Sequence, residues 1–267
     1  MIRYHISVFS KEANSGNSCI VYLSREAIAS SIMQSIAAAE DVSETAFIYA
    51  DGDSLRLKIF SPVCEMFSCL HATIAAGYVL KLEKMASGFY FGDSFVSFCS
   101  EDDNILLQVS PLEAVKLQNA VDLRLRQHFA SAVGLWCVTT ASGKLRLMIQ
   151  LSSEQAVTDI SAKGIGELAS FLSDIESFFI YALSCGKGDY FGRMFAPALG
   201  IVEDPVNGNS CIALFSILRM QNASVTELSV CQAKGCLVNL VVNDEGMWVT
   251  ADCVLNEKSG VSQLDFV

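Results

Sequence analysis

Apolar and polar residues alternate over residues 2–9, with Ile2, Tyr4, Ile6 and Val8 on one face, the spacing of a strand buried on one side. Similar runs recur at 19–23, 44–50, 55–60, 95–99, 104–109, 135–140 and 144–150, then at 176–184, 189–195, 235–243 and 246–251. Between them the apolar spacing lengthens to that of a helix. Ser24 is placed to cap a helix reaching Glu40, with Ile28, Ile32, Met33 and Ile36 along one stripe. Further helices are predicted at 71–83, 122–133, 161–172 and 210–221. One strand raises a question of chemistry. In 42-VSETAFIYA-50, Ala46, Ile48 and Ala50 alternate with Thr45, Phe47 and Tyr49, so both faces read as covered, yet Glu44 stands at its head. Either Glu44 sits at a solvated strand end, or it is a carboxylate held in a protected site to move protons.

The pattern also repeats. The segment 60-FSPVCEMFSCLHATIAAGYVL-80 resembles 195-FAPALGIVEDPVNGNSCIALFSIL-218: Phe-x-Pro ends a strand, a glutamate follows (Glu65, Glu203), and a loop opens into a helix of small apolar residues. Glu65–Leu80 and Glu203–Leu218 align without a gap. A separation of half the chain points to duplication of a domain and not to a solenoid. The expected division is 1–115 and 116–267, with the C-terminal strand free to return to the first half. Two such halves would face each other across a cleft, where ligand sites concentrate, each presenting a helix N-terminus whose unpaired N–H groups favour an anion.

Composition narrows the function. The chain has 267 residues, 52% of them hydrophobic, enough for a substantial core, but no apolar run approaches the roughly 18 residues of a membrane-spanning helix. The N-terminus carries charged and polar residues where a secretory signal needs an apolar block, so a cytoplasmic protein is expected. Net charge is −11, from 29 acids and 18 bases without a basic cluster, which argues against nucleic acid and anionic membrane as partners. Ten cysteines occur without a C-x-x-C pair, and histidine only at His5, His71 and His128. These spacings do not match zinc arrangements, so no metal is expected.

The segments 14-NSGNS-18, 43-SETAF-47, 60-FSPVCEMFSCLHATIAA-76 and 203-EDPVNGNS-210 together resemble the PhzF family of phenazine-biosynthesis isomerases, whose fold is similar to that of diaminopimelate epimerase. The correspondence runs in order through nearly the whole chain. The resemblance implies an α+β fold of two pseudo-symmetric domains, each a β-barrel-like sheet around a central helix, and an active site that needs no cofactor or metal. It implies a small carboxylate-bearing substrate and, as in many members, a homodimer. Glu44 matches the glutamate that moves a proton between two carbons, acting in turn as base and acid, with a pKa expected to be raised by a protected site. His71 and Asp204 match polar partners of the substrate. Asn17, Ser43, Leu70, Gly208, Asn209 and Ser210 fall at positions that would line the substrate site.

Read without the resemblance, the same residues have plainer roles: a strand-end glutamate, a histidine opening a helix, an aspartate forming an Asx turn. The sequence also departs from the family pattern. Leu70 stands where the family has glycine before the histidine. Val206-Asn207-Gly208-Asn209 replaces Val-Thr-Gly-Ser, and 232-QAKGCLVNLVVND-244 lacks the family's arginine. These changes keep a second reading open, a non-catalytic PhzF-like protein that binds a ligand or partner. A two-cysteine epimerase is disfavoured. Cys69 falls at the first cysteine's position, but the second falls near Pro205, with Cys211 too far into the helix. A helix N-terminus can lower a thiol pKa and make Cys69 reactive; an inert buried thiol is the favoured reading.

Overall fold

The computed structural model describes residues 1–101, 104–117, 125, 128–140 and 143–260. Of the helix expected at 122–133, residues 122–124, 126 and 127 lie outside them, and its last two residues, Ala132 and Val133, belong to a strand instead. The chain divides into two units, residues 1–108 with 250–267, and residues 109–249.

The first unit contains β1 (Ile2–Val8), β2 (Asn17–Ser24), α1 (Ser30–Ala39), β3 (Thr45–Asp51), β4 (Ser54–Phe60), β5 (Glu65–Met66), α2 (Leu70–Leu82), β6 (Gly88–Phe91), β7 (Ser94–Glu101) and β8 (Asn104–Val109). The second contains β9 (Ala114–Lys116), β10 (Ala132–Thr139), β11 (Leu145–Leu151), α3 (Glu154–Thr158), α4 (Ala162–Ala169), β12 (Ile175–Leu183), β13 (Tyr190–Ala196), β14 (Ile201–Asp204), α5 (Gly208–Gln221), β15 (Glu227–Cys231) and β16 (Leu237–Asn243). The long β17 (Gly246–Gly260) begins in the second unit and continues into the first.

In the first unit the pairings run β1–β2–β3–β4–β6–β7–β8–β17 and back to β1. That ring closes eight strands into a barrel and leaves none of them as a free edge. Inside it lies α2, buried from Leu70 to Leu80. Its small residues let it fit: a Cβ on Gly77 would come within 3.2 Å of the Phe98 ring. The outer faces of β2, β3 and β4 are covered by α1, where Tyr22, Met33, Ile36, Phe47 and Phe60 form one apolar cluster. Hence residues 45–50 are apolar on both faces: alternate side chains point to opposite sides of the sheet, one toward α2 and one toward α1.

The second unit repeats the order and sense of these pairings. β10–β11 is antiparallel, β11–β12 parallel, β12–β13 antiparallel, β13–β15 parallel and β15–β16 antiparallel. Each matches its counterpart β1–β2, β2–β3, β3–β4, β4–β6 and β6–β7. The gap-free alignment of the two copies survives in the register, since Ile59 pairs with Met66 and Met194 with Asp204. The duplicated helices α2 and α5 begin at the aligned residues Leu70 and Gly208. The fold is thus the α+β, epimerase-like arrangement of two related halves.

One helix boundary differs from expectation. Ser24 does not cap a helix; its Oγ accepts from Glu26 N–H at 3.2 Å and donates to Glu26 O at 2.8 Å. This local turn competes with helix initiation, and α1 starts only after Ala29. Short strands β5, β6, β9, β14 and β15 and the helix α3 fall in segments whose periodicity had assigned no element.

Candidate active site

Glu44 immediately precedes β3, whose parallel partner β2 places Ile20 beside Thr45. Cys69 is the N-cap of α2, and its carbonyl oxygen accepts from both the N–H and the Oγ1–H of Thr73, at 3.0 and 2.8 Å. That anchors the first turn and turns His71, the second helical residue, toward the head of β3. His71 Nε2 then lies 3.2 Å from Glu44 Oε2, with side chains only 9% and 13% exposed. On the other edge of the ring, Nδ1 lies 3.4 Å from Cys69 Sγ and 3.5 Å from the Asn17 amide. Ser43, the preceding residue, bears on the Glu44 carboxylate and favours its charged form.

The electrostatics correct one expectation. Burial by itself pushes the Glu44 carboxyl up, but the adjacent His71 charge and the nearby polar groups of His71 and Ser43 outweigh it and hold the group below its ordinary value. His71 moves the opposite way. Burial disfavours its charge, yet the groups around it, Cys69 and Glu44, lift it well above the ordinary imidazole value. The Cys69 thiol is itself pushed up, chiefly by burial, and the carboxylate of Glu44 supports the charge on His71. The N-terminus of α2 favours the carboxylate and disfavours the imidazolium. The pair is a carboxylate facing an imidazolium. Although close, the contact lies off the hydrogen-bonding axis, so Oε2 is buried without an aligned donor among the described residues.

Glu44, Cys69 and His71 bring an oxygen, a sulfur and a ring nitrogen within 4.8 Å of one another. As a metal set they fit poorly. Cys69 lies nearer Nδ1 and Glu44 faces Nε2, so one ion could not take all three without turning the imidazole.

Leu70 is 8% exposed, in the first turn of α2. The other anticipated residues belong to the second unit. Asp204 Oδ1 accepts from Val206 N–H at 3.1 Å and Oδ2 from the Asn207 amide at 2.9 Å. Asn207 Oδ1 caps α5 by accepting from Ser210 N–H and Oγ–H, both at 2.8 Å. The buried Gln232 accepts from Asn207 N–H at 3.0 Å and donates to Cys211 Sγ at 3.2 Å. Gly208 and Asn209 open the helix, and their N–H groups have no acceptor among the described residues. Sequence reasoning missed Gln232, Asn207 as the cap, and Arg146. The available signal for Arg146 was its standing as the lone charge in the apolar strand 145-LRLMIQL-151.

The profile of the phenazine biosynthesis-like proteins matches residues 6–95 and 104–235. The chain belongs to the PhzC/PhzF family. It is 29% identical over 238 residues to an uncharacterized isomerase of Pseudomonas aeruginosa, covering 87% of each chain. Its fold resembles that of a PhzF-family phenazine biosynthesis protein of Enterococcus faecalis, with TM-score 0.80, 22% identity and 98% of both chains covered. A hydroxyproline epimerase of Agrobacterium vitis, solved with bound trans-4-hydroxy-L-proline, shares the fold more distantly, with TM-score 0.63, 10% identity, and 98% and 90% of the two chains covered. No helix among the described residues is long and apolar enough to cross a membrane.

Proposed function

We propose that this PhzF-family chain is an isomerase that moves a proton on a small carboxylate-bearing metabolite, with Glu44 as general acid/base. The observation that carries this reading is the buried Glu44 Oε2, 3.2 Å from His71 Nε2 and without an aligned donor. A carboxylate so held has an oxygen free to take a proton from carbon.

The steps balance without any change of oxidation level. Ionised Glu44 removes a proton from a C–H made acidic by neighbouring unsaturation, and the electron pair of that bond passes into the conjugated system. The resulting carboxylic acid returns the proton at another carbon and is again a carboxylate. The depressed pKa makes the resting group a base. Once it is protonated, the nearby imidazolium favours renewed ionisation and so assists delivery. His71 acts as charge partner and as donor to a substrate oxygen. Asp204 contributes a polar contact to the substrate, beside Gly208, Asn209 and Ser210. The name isomerase borne by the Pseudomonas aeruginosa relative supports the same reaction class.

The second reading is a non-catalytic ligand-binding protein. It is favoured by the buried Leu70 side chain in the first turn of α2, where a glycine would leave the backbone open to a ligand.

The test is proton exchange by NMR in D₂O. Wild type and Glu44→Gln are incubated with dihydro-hydroxyanthranilate and a panel of unsaturated and cyclic amino acids. Isomerisation or deuterium uptake with wild type, reduced about 10²–10⁴-fold in the variant, is expected. Equal uptake by both proteins would remove Glu44 from the chemistry; no uptake by either would favour the binding protein.

A further inference from the structure

His71 has two ring nitrogens, and the contact with Glu44 uses one of them, Nε2 at 3.2 Å from Oε2. The other, Nδ1, also carries a proton whenever the ring is an imidazolium. A buried N–H left without an acceptor is costly, and His71 is buried. Three elements surround the ring. Glu44, with Ser43 beside it, stands at the head of β3; Cys69 caps α2; Asn17 opens β2. Cys19, two residues further along β2, lies close enough for Cys69 and Glu44 to raise its pKa. Two of these groups reach Nδ1. Cys69 Sγ lies at 3.4 Å, but sulfur is a weak acceptor. The Asn17 side chain brings its amide nitrogen to 3.5 Å.

An amide nitrogen suits only one protonation state of that ring. It donates to Nδ1 while Nδ1 is bare; against Nδ1–H the same contact sets donor against donor. Asn17 has no room to withdraw. It is 5% exposed, its backbone pairs with Val8 in the sheet, and Gly16 before it sits so close to Val8 O that even a Cβ has no space. Rotation about the Cβ–Cγ bond is the freedom that remains. Half a turn exchanges nitrogen for oxygen in nearly the same volume, and Oδ1 then accepts from Nδ1–H. The proposed reaction calls for both states. When Glu44 takes up the proton of a substrate it loses the charge that supports the imidazolium, and the hold of the ring on its second proton weakens.

We propose that Asn17 is a positioning residue whose amide turns over with the protonation of His71, donating to the neutral ring through Nδ2–H and accepting from the imidazolium through Oδ1. In both states Nε2–H stays aimed at Glu44. Asn17 thus acts through His71, and not as the substrate contact that the family resemblance implies. The catalytic meaning of the turn rests on the proposed reaction at Glu44; the turn itself belongs to the free protein and needs no substrate.

The test titrates the full chain, without substrate, from acid to alkaline pH. ¹H and ¹⁵N NMR follows the His71 ring nitrogens and the Asn17 side-chain amide together. In wild type the Asn17 amide signals should move with the same midpoint as His71 Nδ1. Asn17→Leu, close in volume but without an acceptor, should lower the His71 midpoint. Asn17→Asp, which accepts in the same place, should restore it to the wild-type value or above. A side chain that merely fills space would leave the midpoint where it is. Where a substrate is turned over, Asn17→Leu should lower kcat about tenfold with KM little changed. Asn17 amide signals that ignore the His71 titration, or an unmoved midpoint in a folded Asn17→Leu, would overturn the turn; so would a raised KM with kcat intact, the mark of a substrate contact. The wild-type titration decides the matter even if Asn17→Leu fails to fold. Because it is read without substrate, it also stands apart from proton exchange at Glu44, and either proposal can fail alone.

Discussion

His71 and Glu44, 27 residues apart in sequence, meet at 3.2 Å as a buried imidazolium and carboxylate. The closed barrel brings this about by setting the head of β3 against the first turn of the helix it encloses.

The pair makes stability depend on pH at both ends. His71, raised from an ordinary 6.5, contributes stability that is complete below that value and is lost as pH rises toward its folded pKa. Glu44, lowered from an ordinary 4.5, contributes stability that is complete above that value and is lost as pH falls toward its folded pKa. Urea midpoints should therefore show the largest gap between wild type and His71→Gln from pH 4.5 to 6.5. The gap is expected to be about 3 kcal/mol, since the variant leaves a carboxylate buried alone. A gap that is flat from pH 4 to 9 would exclude the ion pair.

Gly16 adopts φ +71, and a Cβ there would collide with Val8 O and lie 2.9 Å from Ser10 Cβ. Gly16→Ala should cost about 2–4 kcal/mol, combining left-handed strain with a backbone clash. Because Asn17 follows directly, the His71 ring resonances should also move. Chemical denaturation with NMR of the imidazole checks both effects.

Cys69 is buried with its thiol pushed up by its surroundings, whereas Cys64, Cys99 and Cys185 are exposed. Iodoacetamide at pH 8 should label those three at least about tenfold faster than Cys69, because reactivity follows access and thiolate fraction. Peptide mass spectrometry measures the order. Cys69→Ser should retain proton exchange; its loss would revive a thiol mechanism.

Arg193 grips Glu203 through Nε and Nη2 at 2.7 and 2.8 Å, and its Nη1 donates to the carbonyl oxygens of Val157, Thr158 and Ile160. Five bonds from one planar group tie β13 and β14 to the end of α3. Arg193→Met should cost about 2–4 kcal/mol, and Arg193→Lys most of that, since an ammonium cannot reproduce the fork. Thermal unfolding of both variants tests this.

Local pattern was enough to place most of the scaffold. Alternation located β1, β3, β4, β8, β11, β12 and β13, because strands buried on one or both faces must repeat every second residue. The duplicated Phe-x-Pro, glutamate and small-residue helix disclosed two related halves, since each copy solves the same packing problem with the same residue sizes. Short strands such as β5, β6, β14 and β15 were not legible. At two to five residues each, they are held by partners distant in sequence, and too few positions exist for a period to show. For the site, residue types and motif order marked Glu44, His71 and Asp204 as candidates. The ionisation of Glu44 and His71 was decided only by tertiary contact. Burial alone would have raised the Glu44 pKa, and the imidazole 3.2 Å away reversed the sign. Arg146 is the same case in the second unit. The sequence displays one arginine in an apolar strand, and only the tertiary packing buries it with its Nε donating to Ser177 Oγ.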